Sequence, residues 1–81
     1  MKGASVETLG QRLREERRLA VLTQAELAEK AGVSLITVNR LENEEGESSP
    51  RPETVRRLAK ALGVDPAWLL FGESEILKSA A

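Results

Sequence analysis

Cysteine and histidine are both absent from the 81 residues. Without cysteine there is no disulfide and no thiolate metal site. Without histidine, zinc sites and imidazole acid–base catalysis are not expected. Tyrosine is missing too, and Trp68 and Phe71 are the only aromatic residues, so the core must be built from Leu, Val, Ile and Ala. No apolar run is long enough to cross a bilayer, and the N-terminus lacks the apolar core of a signal peptide. The expected location is the cytoplasm, with no membrane partner. A large excess of positive charge is also lacking: the net charge is −1. A nucleic-acid partner would therefore depend on local cations.

What is present points to one small all-α domain. A core of this size gives marginal stability unless packing is efficient or the chain dimerises. Negative charge gathers after position 43: Glu44, Glu45, Glu47 and Glu53 stand against Arg51 alone in residues 44–53. Helix starts are marked by short polar residues. Thr8 with Gln11 and Thr23 with Glu26 have capping-box spacing, Ser34 is an N-cap candidate, and Asp65-Pro66 reads as N-cap plus first-turn proline. Stops are marked by Gly32, Gly63 and Gly72. Between these signals, Leu9 and Leu13, then Leu27, Ala28 and Ala31, then Val55, Leu58, Ala59 and Leu62 recur at helical spacing. The expected fold is five short helices: the first beginning between Ser5 and Thr8 and ending near Leu19 or Ala20, the third over Leu35–Asn43, the fourth from Pro52, the fifth "AWLLF". The domain spans 5–72, and 73–81 is a tail that extends a helix, adds a dimer contact or frays. There is no strand-like alternation and no repeat.

Only Val33 separates the glycine stop at Gly32 from Ser34, so helices 2 and 3 must meet at a steep angle, as in a helix-turn-helix. On a wheel of about 100° per residue, Val38 and Leu41 define the buried side of helix 3. Ile36 then lies about 160° from Val38, near the centre of the exposed face, with Asn39, Arg40 and Asn43 around it; Leu35 lies about 60° from Val38, half-buried.

The stretch "TQAELAEKAGVSLITVNRLEN" resembles the DNA-binding domain of lambdoid phage repressors and the Cro/Xre family, through Gln24, Ala28, Gly32, Val38, Leu41 and Glu42. The similarity runs from Leu9 to Gly72 and includes "ALGVDPAWLLFG". It implies a lambda repressor-like domain that binds double-stranded DNA as a homodimer, with helix 3 in the major groove. In that family the two positions after the Ser34 cap are base readers and often glutamine; here they are Leu35 and Ile36. Ile36 suits a thymine methyl group, and Arg40 suits guanine O6 and N7. A protein-binding face is the other reading of Ile36. The resemblance gives Gln24 a phosphate contact and a bracing role. Ser34 caps helix 3 and can add a phosphate contact from its hydroxyl. The Asn43 amide suits a phosphate or a helix C-cap, and Arg51 a phosphate, the minor groove, or an internal acidic partner. The resemblance also sets Arg17 against Glu42 as a structural pair, which suits a partly buried charge. Glu44, Glu45 and Glu47 should point away from DNA or weaken binding. Trp68, Leu69 and Leu70 are expected mainly in the core, with Trp68 or Phe71 exposed at a dimer seam.

The expected function is a sequence-specific transcriptional regulator, a repressor on a near-palindromic operator. The alternative is a helix-turn-helix antitoxin that binds a toxin protein, whose surface the acidic loop and aliphatic helix face would suit. No nucleophile–base constellation is visible, so no enzyme activity, metal or cofactor is expected.

Overall fold

The computed structural model describes residues 8–44 and 50–72. Among these residues it is all-helical: α1 (Leu9–Leu19), α2 (Gln24–Ala31), α3 (Leu35–Asn43), α4 (Pro52–Leu62) and α5 (Pro66–Phe71). Residues 1–7, which include part of the expected start of the first helix, and the tail 73–81 lie outside the described residues.

Local side-chain chemistry sets the boundaries. The Gln11 N–H donates to Thr8 Oγ1 at 3.1 Å, and the Thr8 N–H donates to the Gln11 amide oxygen at 3.2 Å. Thr23 and Glu26 repeat this box at 3.0 and 2.9 Å. Ser34 accepts from the Thr37 N–H, and Asp65 from the Ala67 N–H. Each satisfies backbone donors that have no partner inside the helix. α4 has no side-chain cap at Arg51 and begins instead on Pro52, whose missing donor suits a first turn. The Gly32 stop adopts φ 74, a left-handed conformation that glycine takes without strain. α3 departs from this pattern by ending on Glu44 at φ 58.

The largest fully buried side chains come one from each helix: Leu13, Leu27, Val38, Leu58 and Leu69. Helical spacing placed Leu13, Leu27 and Leu58 inward, the wheel of helix 3 placed Val38, and Leu69 was expected in the core with Trp68 and Leu70. α3 packs between α1 and α2, so its outer face is left free.

α1 lies tight against α3 at Gly10. A Cβ built there would lie 2.5 Å from the Leu41 carbonyl oxygen and 2.8 Å from Glu44 Cγ. Gly10→Ala gains about 1 kcal/mol of helix propensity, but it forces backbone apart where neither side can yield. The expected net result is destabilisation, since overpacking typically costs about 1–3 kcal/mol. Thermal melting checks it; a higher melting temperature would mean that the helices separate freely. Among the described residues no helix is long and apolar enough to cross a membrane.

Candidate nucleic-acid interface

α3 carries its buried side chain, Val38, toward α1 and α2 and leaves Leu35 and Ile36 49% and 64% exposed. Leu35 is thus half in solvent, as its flank position required, and Ile36 is the more open of the two. Arg40 and Asn43 are exposed on the same helix, and Asn39 is half-buried. Among the described residues, the Arg40 side chain makes no hydrogen bond or ion pair, so its guanidinium is available to a partner.

Ser34 and Arg51 come together although 17 positions separate them in sequence. Both line an open cleft of about 330 Å³ with Gly32, Val33, Thr37 and Arg57. Two helix starts, those of α3 and α4, meet there. Arg57 crosses the cleft: it donates to Glu53 Oε2 at 2.8 Å and to the Gly32 carbonyl at 3.4 Å. This arginine did not stand out in the sequence. The Glu53–Arg57 spacing of four was the available signal. Arg51 is exposed, and the acidic partner expected as one possibility is not formed with Glu53, which faces Arg57 instead.

Glu42 anchors α3 from behind. It is 5% exposed. Arg17 grips both its oxygens, Nε to Oε2 at 2.6 Å and Nη2 to Oε1 at 3.0 Å, and also donates to the Leu22 carbonyl at 2.7 Å. The Gln24 amide donates to Glu42 Oε1 at 3.0 Å, and Arg14 Nε lies 3.5 Å from the same oxygen. Burial raises the carboxyl pKa, but the hydrogen bonds from Arg17, Gln24 and Arg14 and the charge of Arg17 outweigh it, so it is held below its ordinary value. The pairing of Arg17 with Glu42 is as expected, and the Gln24 bond to Glu42 fits its expected bracing role; the share of Arg14 was not expected.

Gln24, Asn39 and Asn43 form a chain of side-chain bonds with Asn39 in the middle. Asn39 Nδ2 donates to Gln24 Oε1 at 3.3 Å, and Asn43 Nδ2 donates to Asn39 Oδ1 at 3.2 Å. Asn43 is the last residue of α3, and the C-cap is Glu44. That corrects the C-cap reading of Asn43: the left-handed backbone falls one residue later. The Glu44 carboxylate accepts from Thr8 Oγ1 at the start of α1, where the helix dipole favours negative charge. Glu45 and Glu47 lie outside the described residues.

The helix-turn-helix family model matches residues 13–69. Among curated proteins, the chain is 34% identical to the HTH-type transcriptional regulator DicA of Escherichia coli over 84% of its own length and 49% of that protein, so it spans about half of this relative. Among solved structures, it superposes on the P22 c2 repressor in complex with a synthetic operator with a TM-score of 0.73 and 35% identity, covering 82% of this chain and 97% of that one. The restriction-modification controller protein C.AhdI from Aeromonas hydrophila matches with a TM-score of 0.68 and 33% identity, over 83% of this chain and 98% of that one. The fold is that of the lambda repressor-like helix-turn-helix domains.

Proposed function

The chain belongs to the helix-turn-helix family, and from that membership we propose that it is a sequence-specific DNA-binding transcriptional regulator, acting in the cytoplasm as a homodimeric repressor on a near-palindromic operator. The observation that carries this reading is the two-sided build of α3. One side is clamped by buried Glu42, and the other offers Ile36 and the free Arg40 to solvent beside the cleft of Ser34 and Arg51. A helix held this rigidly can enter a major groove with its outer residues on base edges.

In this reading Ile36 packs on a thymine methyl and Leu35 covers the apolar flank beside it. Arg40 donates to guanine O6 and N7. Ser34, Gln24, Asn43 and Arg51 meet phosphates, and the cleft makes Arg57 a further candidate. α5 supplies the subunit contact: Phe71 is 70% exposed next to half-buried Trp68 and Leu70. Two copies joined there would set their α3 helices about 34 Å apart, one turn of B-DNA. The domain carries no catalytic role in this reading. DicA is named a transcriptional regulator and the c2 protein a repressor; these names favour a regulator and give the antitoxin reading no support.

Selection of bound sequences from random duplex DNA, with nonspecific competitor present, tests the proposal. An enriched near-palindrome is expected, and no enrichment would end it. On the selected site, Ile36→Ala should weaken binding by about 1 kcal/mol, roughly one buried methyl group, and the loss should vanish when the contacted thymine is replaced by uracil. Arg40→Ala should lose about 1–3 kcal/mol and relax preference at one base pair. An arginine that meets only phosphate would weaken all sequences alike.

A further inference from the structure

We infer that Asn39 reads an adenine with an amide locked in one orientation, and that Arg14, on α1, is a positioning residue that closes the lock. The inference rests on the DNA-binding reading above.

Five side chains form a closed ring. Arg14 Nε faces Glu42 Oε1 at 3.5 Å, and the Gln24 amide nitrogen donates to that same oxygen at 3.0 Å. Asn39 donates to Gln24 at 3.3 Å, Asn43 donates to Asn39 at 3.2 Å, and Arg14 Nη2 donates to Asn43 Oδ1 at 3.4 Å. The ring spans α1, α2 and α3.

Three of its members are amides, which can face either way, since each has donors on nitrogen and lone pairs on oxygen. The other two members have no such freedom. A carboxylate only accepts, and a guanidinium only donates. Glu42 therefore demands the nitrogen of Gln24, which turns the Gln24 oxygen toward Asn39. Asn39 must answer with its nitrogen, and its oxygen then faces Asn43. Asn43 answers with its nitrogen and turns its oxygen to Arg14, which donates. The order closes without a conflict. Inverting any one amide sets oxygen against oxygen on one side and nitrogen against nitrogen on the other, and each such contact leaves polar groups unpaired.

The ring uses one N–H and one lone pair of Asn39, leaving one of each. Asn39 is half-buried beside the exposed face of α3, so what remains is directed outward with a fixed polarity. Adenine shows an acceptor, N7, beside a donor, N6–H, in the major groove, and an asparagine amide matches that pair. An amide free to invert would match it only part of the time. Arg14 thereby acts on base choice without reaching a base, through Asn43. Its side chain is 49% exposed, and Arg17 holds Glu42 in its absence, so the fold does not depend on it.

The test is selection from random duplex DNA with the wild-type domain and with Asn39→Ala, Arg14→Met and Arg14→Lys, together with NMR of the side-chain amides in the free protein. Wild type should prefer adenine at one position by roughly 5- to 150-fold, the range of one good paired contact, and Asn39→Ala should abolish that preference alone. Arg14→Met should lower the same preference severalfold and leave the others. It should also shift the Asn39 amide resonances, although the two side chains do not touch. Arg14→Lys, which keeps a donor-only cation, should retain most of the preference. If Arg14→Met weakens all sequences alike with the adenine preference intact, Arg14 is a phosphate contact and the inference is wrong. If Asn39→Ala changes no position, Asn39 reads nothing. A wild-type domain that enriches no sequence at all is a different failure: it overturns the DNA-binding reading, and this inference with it.

Discussion

Replacing Glu42 with alanine should lower stability by about 3–5 kcal/mol, the usual consequence of removing one partner from a buried ion pair. The loss is large because Glu42 is the common acceptor of three side chains. Arg17, half-buried and bidentate, keeps its charge with only the Leu22 carbonyl left. Gln24 and Arg14 lose an acceptor as well. An exposed pair in the same place would be worth about 0–1 kcal/mol. For a domain of this size each kcal/mol shifts the melting temperature by roughly 4–8 °C, so a drop under about 4 °C would show that the cluster behaves as a surface contact. The same group sets an acid dependence. Its folded pKa is depressed, so its contribution is complete above the ordinary carboxylate value and is lost as the pH falls through the lowered one. Glu42→Gln should flatten that acid limb. Glu53 is also drawn down, by Arg57, but it is fully exposed and solvent screens the pair.

The second large effect is expected at Arg12. The residue is buried, 4% exposed, and its guanidinium donates through Nε to the Leu69 carbonyl and through Nη2 to the Leu70 carbonyl, both at 3.0 Å. It also lies 6.0 Å from the centre of the Trp68 ring. A cation at this end of α5 meets the negative pole of the helix. Burial lowers its pKa, but arginine stays charged regardless. Arg12→Ala leaves two carbonyls without this donor at about 1–3 kcal/mol each, a large part of the roughly 5–15 kcal/mol that holds a domain together. Arg12→Met should lose most of the same stability, because it restores the stem and not the donors. Near wild-type melting for Met with a low value for Ala would show that Arg12 acts by packing alone.

Arg12 also marks where sequence reading reached its end. Helix starts and stops were legible because a cap is a bond between residues two to four apart: Thr8 to Gln11, Thr23 to Glu26, Ser34 to Thr37. The buried aliphatic residues were legible because helical spacing sorts them without knowledge of the neighbours. Arg12 bonds across 57 and 58 positions, and on α1 it looks like any charged surface residue. The amide ring was hidden for the same reason. Gln24, Asn39 and Asn43 each stood out singly as candidate contacts, but their bonds to one another depend on how α2 and α3 cross. Ile36 and Arg40 were legible as outward-facing because two inward residues on the same helix, Val38 and Leu41, fix the rotation of α3. The nearness of Ser34 to Arg51 was not, since α4 had to be placed first.

The two arginine–carbonyl bonds have a further consequence, for the order of folding. α5 has six residues, far short of the roughly 12–15 that make an isolated helix even marginal in water. It has no stable existence before it docks. Docking joins α5 to α4, its neighbour in sequence, and ties it through Arg12 to α1, the most distant of the described helices. Of the helix pairs that pack together, α1 and α5 are the furthest apart in sequence, so their closure carries the largest loop entropy. Transient opening of the native state should begin at this same seam, with α5 melting as it leaves. In a dimer joined through α5, separating the subunits and unwinding that helix would then be a single event.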